Sequence, residues 1–355
     1  MIKGHGGNIY DLAHRLGCLR SEIIDMSSNV NPLGPPPGLT AFLTENIAAV
    51  TALPEADAEE AVRAFAKRYN VCPECVLAGN GTTEIIYTVP RALGTRQACI
   101  LGPTYSDYAD ACLMHGVQYK YLIADEALEF KHDTDRVRKK IRGADTVFIC
   151  NPNNPTGVLI PSDELEFLCK THSDIRFVID ESYLPFVGNG EAETMLNCGL
   201  PNVLVLNSMS KIFRIPGLRI GFLIASEPLI EKFRHYSLPW NVNSLAHAAV
   251  IYLMTQEAES DAFIAATRTF LETERKRFAE MLGTASGFRL FPSETDFILI
   301  RLLEKKADEV CAYLAQDKIL IRNCANFTGL SDSFIRISLK TQEINDMLAE
   351  KMLRL

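Results

Sequence analysis

Val203-Leu204-Val205-Leu206-Asn207-Ser208-Met209-Ser210-Lys211-Ile212-Phe213-Arg214-Ile215-Pro216-Gly217-Leu218-Arg219-Ile220-Gly221-Phe222-Leu223-Ile224 is the stretch on which the fold turns. Two apolar runs flank a polar segment with two serines, a lysine, a Pro-Gly turn and an arginine. The runs are continuous rather than alternating, which is how strands read when helices bury both their faces. The same pattern occurs in Ala98-Cys99-Ile100-Leu101, Thr146-Val147-Phe148-Ile149-Cys150 and Phe177-Val178-Ile179-Asp180. The spacing leaves room for crossover helices, so this region predicts an α/β unit on a largely parallel sheet. Upstream, Val62, Phe65, Ala66 and Tyr69 recur at the spacing of an amphipathic helix.

The character changes on either side. Asn29-Val30-Asn31-Pro32-Leu33-Gly34-Pro35-Pro36-Pro37-Gly38 is too rich in proline and glycine for regular helix or central strand. It sets off an N-terminal arm, residues 1–45, expected to pack with the small domain. Residues 46–245 form the large domain. Residues 246–355 read as a smaller α+β domain, helical over roughly 244–283. Four strand-like runs follow: Phe288-Arg289-Leu290-Phe291, Phe297-Ile298-Leu299-Ile300, Ile319-Leu320-Ile321-Arg322 and Phe334-Ile335-Arg336-Ile337. Arginines at or near strand ends are unusual for a core.

Composition bounds the function. The 355 residues carry 36 Lys+Arg against 44 Asp+Glu, a net charge of −8, so no bulk attraction draws the chain to nucleic acid or an anionic membrane. No apolar run approaches the ~18–20 residues that span a bilayer. The start turns polar at once, unlike a signal peptide. The ten cysteines are scattered, which fits reduced thiols and a cytoplasmic setting. Cys72-Pro73-Glu74-Cys75 is a lone CxxC without a second pair or neighbouring histidines, so no metal is expected.

Four features along the α/β region carry chemistry. Gly79-Asn80-Gly81-Thr82-Thr83-Glu84 joins a strand-like run to a helical one, and a helix N-terminus presents free N–H groups to a phosphate. Asn151-Pro152-Asn153-Asn154-Pro155-Thr156-Gly157 fixes a loop at a strand's C-terminal edge, where open α/β sheets bind ligands. Asp180 ends an apolar run and needs a cation or donors there. Lys211 follows two hydroxyl residues, with Arg219 eight positions on.

Taken in this order, the four resemble the fold-type I pyridoxal-phosphate enzymes of the class I/II aminotransferase group, over nearly the whole chain. The resemblance implies a large domain with a mostly parallel sheet plus a small C-terminal α+β domain. It implies pyridoxal 5'-phosphate as cofactor, joined through its aldehyde to Lys211. Asp180 would pair with the ring nitrogen, Tyr183 and Asn154 with the phenolate oxygen, and Tyr105 would stack on the ring. Gly81, Thr82, Thr83, Ser208, Ser210 and Arg219 would hold the phosphate. Lys211, Asp180 and Tyr183 would be the catalytic residues. The residue types suit these tasks. A lysine amine can be exchanged for a substrate amine, a carboxylate at the ring nitrogen favours its protonated form, and arginine grips phosphate through paired hydrogen bonds.

The arm narrows the resemblance. His5-Gly6-Gly7-Asn8-Ile9-Tyr10 and Asp25-Met26-Ser27-Ser28-Asn29-Val30-Asn31-Pro32-Leu33-Gly34 look like the threonine-phosphate decarboxylases, which make aminopropanol phosphate for the cobalamin side chain. Leu238-Pro239-Trp240-Asn241-Val242-Asn243 and the segment from Ile319 to Phe327 extend the likeness. The close relatives are the histidinol-phosphate aminotransferases, which transfer an amino group to 2-oxoglutarate; a serine-phosphate decarboxylase is a narrower alternative. The likeness implies that Asn29 and Arg336 bind a substrate carboxylate, that His5, Gly6 and Arg322 contact its phosphate, and that Asn154 lines the site. It also implies a homodimer with sites near the subunit interface. Leu53 stands where relatives often carry a tyrosine that reaches the partner's cofactor phosphate.

Overall fold

The computed structural model describes residues 6–283 and 285–355, so His5 lies outside the described residues. In chain order the strands are β1 (Ile24–Asp25), β2 (Val76–Gly79), β3 (Gln97–Gly102), β4 (Gln118–Ile123), β5 (Thr146–Cys150), β6 (Arg176–Asp180), β7 (Val203–Ser208), β8 (Gly221–Ala225), β9 (Phe288–Leu290), β10 (Phe297–Leu302), β11 (Ile319–Leu320), β12 (Arg322–Asn323) and β13 (Phe334–Ser338). Seven of them form one sheet in the order β2-β8-β7-β6-β5-β3-β4.

The continuous apolar runs account for this sheet. β5 and β7 are buried along their whole length, as expected for strands covered on both faces. β4-β3-β5-β6-β7 pair in parallel. β8 runs antiparallel to both β7 and β2, so the sheet is mixed rather than uniformly parallel. The sequence between Ser208 and Gly221 is too short for a full crossover helix and returns the chain as a near-hairpin instead. Helices Glu59–Tyr69, Gly81–Leu93 and Asp107–Met114 pack on β2, β8 and β3, respectively. No helix among the described residues is long and apolar enough to cross a membrane.

The C-terminal region has its own antiparallel sheet, in the order β12-β13-β10-β9. The helical stretch before it divides at Gln256 into Ser244–Thr255 and Glu257–Leu282. The run 319–322 is not one strand. β11 pairs in parallel with β1 of the arm, whereas β12 pairs with β13. The proline-rich segment also needs a correction at its end, because Pro37 and Gly38 open the helix Pro37–Glu45. Proline suits that first position, where its missing N–H would have no partner.

Parallel strands β3, β5, β6 and β7 all end at one edge of the large sheet, at Gly102, Cys150, Asp180 and Ser208. The loop after β5 touches the turn before β10. Glu294 N–H donates to the Gly157 carbonyl at 2.9 Å. Gly157 has φ +73°, and a Cβ there would lie 2.1 Å from Ser293 Oγ. Gly157→Ala is therefore expected to destabilise the fold by about 1–3 kcal/mol, measured as a lower urea midpoint with an unchanged slope.

Candidate active site

Burial of charge organises the edge where the parallel strands end. Asp180 closes β6 and is 4% exposed. Burial raises its carboxyl above the ordinary range, opposed by donors from Ser182 and Tyr108 and by the charge of Lys211. Tyr108 Oη donates to Asp180 Oδ2 at 2.8 Å, and Ser182 N–H and Oγ donate to Oδ1. Lys211 sits on the short helix Met209–Ile212 directly after β7. Burial lowers its proton affinity, as do Arg336 and Arg219, while Asp296 and Asp180 oppose the shift. Among the described residues its amine has no hydrogen bond or ion pair, leaving a deprotonatable, unencumbered nucleophile.

Two cavities meet at this lysine. The inner one, of about 90 Å³, is lined by Gly81, Thr82, Thr83, Tyr105, Asn154, Asp180, Tyr183, Ser208, Ser210, Lys211 and Arg219. These are all of the residues expected from sequence to contact a cofactor; Tyr108, Cys150 and Ser182 join them. The cavity has a phosphate end. Helix Gly81–Leu93 starts without a side-chain cap, so its first amides remain available to an anion. A Cβ on Gly81 would lie 2.6 Å from Arg219 Nη2, so only glycine allows the guanidinium that close. Arg219 itself holds φ +56°, a left-handed conformation uncommon for a side-chain-bearing residue.

The outer cavity, of about 310 Å³, is lined by Gly6, Asn29, Asn154, Arg322 and Arg336 among others, and shares Tyr105, Asn154, Tyr183 and Lys211 with the inner one. Three parts of the chain build it: the arm, the large sheet's edge and the small sheet. Arg336 projects from the middle of β13 and is 4% exposed. Its Nη1 donates to Asn154 Oδ1, its Nη2 donates to the Ser27 carbonyl at 2.6 Å, and its buried Nε has no partner. Arg322 extends from β12, with Nη2 donating to Asn326 Oδ1 at 2.6 Å. Two guanidiniums on neighbouring strands suit a ligand with two anionic groups.

Asn29 lines the outer cavity, but both ends of its amide are engaged. Nδ2 donates to Tyr183 Oη at 3.2 Å, and Oδ1 accepts from Ser338 Oγ at 2.6 Å. It thereby joins the arm, the large sheet and the small sheet at one point. Asn31 does similar work out of sight of the cavity. Its backbone N–H donates to the Lys211 carbonyl at 3.1 Å, and its Nδ2 donates to the Ile212 carbonyl and to Thr267 on the long helix. Sequence reading missed Tyr108, Ser182 and Asn31 as supports. Tyr108 stands three residues beyond Tyr105, in the first turn of helix Asp107–Met114, the one signal that could have pointed to it. Leu53 is 78% exposed and makes no part of either cavity.

Comparison with known proteins agrees with this geometry. The sequence pattern described as aminotransferase class I and II matches residues 21–352. The chain is 34% identical over 354 residues to the adenosylcobalamin biosynthesis bifunctional protein CobDQ of Leptospira interrogans, covering 98% of this chain but only 40% of that longer protein. It is 31% identical to the threonine-phosphate decarboxylase of Salmonella typhimurium, covering 97% of this chain and 94% of that one. The solved histidinol-phosphate aminotransferase of Clostridium acetobutylicum superposes with a TM-score of 0.86 at 28% identity, over 94% of this chain and 98% of that one.

Removing one donor from Asp180 tests the electrostatic account. Tyr108→Phe leaves Oδ2 unpaired, which should lower stability at pH 8 by about 1–3 kcal/mol. The lost donor favours the anion, so the deficit should shrink as acid protonates Asp180. Urea unfolding of both proteins at pH 8 and pH 5 reads the difference.

Proposed function

The chain belongs to the class I and II aminotransferase family, and on that premise we propose that it is a pyridoxal 5'-phosphate-dependent decarboxylase of L-threonine O-3-phosphate, yielding (R)-1-aminopropan-2-yl phosphate for cobalamin biosynthesis. The observation that carries the reading is the pair of cavities meeting at Lys211, the outer one bearing Arg322 and Arg336. The inner cavity fits the cofactor: a buried amine, a buried carboxylate, and a phosphate end made of helix amides, Ser208, Ser210 and Arg219. When bound, the cofactor supplies an electron sink for the pair released from a bond broken at the substrate's α-carbon.

The chain's own residues would do the rest. Lys211 would hold the cofactor aldehyde through Nζ; once displaced there by the substrate's amine, its own amine could give or take a proton at the α-carbon. Asp180, as an anion held by Tyr108 and Ser182, would keep the ring nitrogen protonated. Tyr183, positioned by Asn29, would hydrogen-bond the ring's phenolate oxygen beside Asn154. Arg336 would receive the substrate carboxylate by exchanging its contacts with Asn154 and Ser27, and Arg322 with Gly6 would receive the phosphate. The choice between losing CO2 and losing a proton is a matter of which bond the arginines hold in line with the ring's π system.

We also propose that the protein works as a homodimer. Ile47, Val50, Leu53, Leu238 and Trp240 are large, apolar and exposed. They lie on two segments tied together by Trp240 N–H donating to the Ala56 carbonyl at 2.8 Å. Such a patch suits a second copy.

Incubation with threonine phosphate should release CO2 and leave aminopropanol phosphate. Histidinol phosphate with 2-oxoglutarate is the competing assay, and glutamate without CO2 would move the chain to the aminotransferase reading. Lys211→Ala should lose the visible absorbance of the purified protein; a retained band would mean that another lysine holds the cofactor.

A further inference from the structure

A third cavity, of about 290 Å³, opens behind the ends of β6 and β7 and shares no residue with the two that meet at Lys211. Strand alternation creates it. Consecutive side chains along a strand point to opposite faces. Asp180 and Ser208 line the inner cavity, and Glu181 and Asn207, their neighbours in sequence, line this one. Glu181 continues the parallel ladder, its N–H donating to the Leu206 carbonyl at 2.9 Å. The remaining walls come from the C-terminal end of helix Glu59–Tyr69, the segment 184–197 and the long helix Glu257–Leu282.

Two polar side chains in this cavity are under-served by the protein. Glu181 is 1% exposed. Thr194 Oγ1 donates to its Oε2 and the Met195 N–H donates to its Oε1, both at 2.6 Å. Both donors are neutral, and among the described residues the carboxylate forms no ion pair. Burial pushes it up to about 7, and the neighbouring Asp180 pushes the same way. Asn207 is 6% exposed, and among the described residues its amide makes no hydrogen bond. Buried amides are ordinarily paired, because leaving one unpaired is costly. This one lines the cavity, where a ligand can reach it.

The other charges around the cavity cancel. Arg68 Nη2 pairs with Asp261 Oδ1, and Arg268 Nη1 lies 2.8 Å from Glu191 Oε1. Arg268 is fixed further by Nε donating to the Pro185 carbonyl at 2.9 Å. The acids of both pairs are exposed, so these pairs sit at the rim. Both arginines are already engaged, and Glu181 is the one carboxylate lining the cavity that has no counter-ion among the described residues. Tyr69, Leu184, Leu196 and Ile264 give the walls an apolar character. A cation with N–H donors on an apolar body matches this arrangement. It supplies the charge that Glu181 lacks, a partner for the Asn207 amide, and a surface for the walls.

We propose that this cavity is a binding site for a small organic cation, with an amidinium or guanidinium group set against Glu181 and Asn207 and an apolar body against Tyr69, Leu184 and Ile264. The site is separate from the cavities that meet at Lys211 and does not depend on which reaction they carry out. Its floor is the reverse side of the strand ends that carry Asp180 and Ser208.

Benzamidine is the probe, an amidinium on a flat apolar ring. Calorimetric titration into the purified protein at pH 8, with pyridoxal 5'-phosphate present, should show one saturable site per chain. Glu181→Gln keeps the shape and removes the charge, and it should weaken binding by about tenfold or more. Asn207→Leu replaces the amide with an apolar side chain of similar size. It should weaken binding by about three- to tenfold and leave the thermal midpoint at or above that of the wild type, because no hydrogen bond within the protein is lost. A purely structural amide would do the reverse, lowering the midpoint and leaving binding unchanged. Absence of saturable binding to the wild type overturns the proposal, as does an unchanged affinity in Glu181→Gln. If Glu181→Gln does not fold, Asn207→Leu decides alone: a lowered midpoint or an unchanged affinity overturns the proposal.

Discussion

Everything at the site depends on burying Asp180 and half-burying Lys211 just past the ends of adjacent parallel strands. Burial disfavours the charged form of both, lowering the lysine and raising the acid. The amine becomes available as a nucleophile for the same reason that the carboxylate becomes hard to ionise. The structure resolves that conflict locally. Tyr108 and Ser182 give three hydrogen bonds to Asp180, while among the described residues the Lys211 amine makes none and is left to the surrounding charges. The parallel sheet makes the juxtaposition possible, because β6 and β7 deliver both residues to one edge.

The substrate side is assembled differently. No single domain contains it. Arg336 comes from the small sheet, Asn154 from the large sheet's edge, and Ser27 and Asn29 from the arm, and hydrogen bonds link all of them. Arg336 bonds both Asn154 and Ser27, which ties the small sheet to the large sheet's edge and to the arm. The arm is thus a structural member, since Asn31 binds the backbone around Lys211 to the long helix Glu257–Leu282.

The large sheet was legible in the sequence because buried parallel strands have a plain signature, and β3, β5, β6 and β7 fall where their apolar runs lie. The inner cavity was legible through the resemblance to the fold-type I enzymes, which let Gly81, Asp180, Lys211 and Arg219 be named in order along the chain. The direction of β8 was not legible, since an apolar run reads the same both ways. Nor was the split of 319–322 into β11 and β12, which depends on two partners distant in sequence. Tyr108 stayed hidden for a related reason: a tyrosine in a helix acquires its role only from what the fold packs against it, here the Asp180 carboxylate.

The grip of Arg336 on Ser27 joins residues 309 positions apart. During synthesis the arm is made well before its partners in the small sheet. At about 5–20 residues per second the arm waits roughly 15–60 s for them. Throughout that interval Leu12 and Ile23, which in the finished protein pack with each other and with Ala315 and Leu320, lack the later part of their cover. Closure of the pocket therefore has to follow synthesis of β13, and the arm's apolar side chains stay partly uncovered until then.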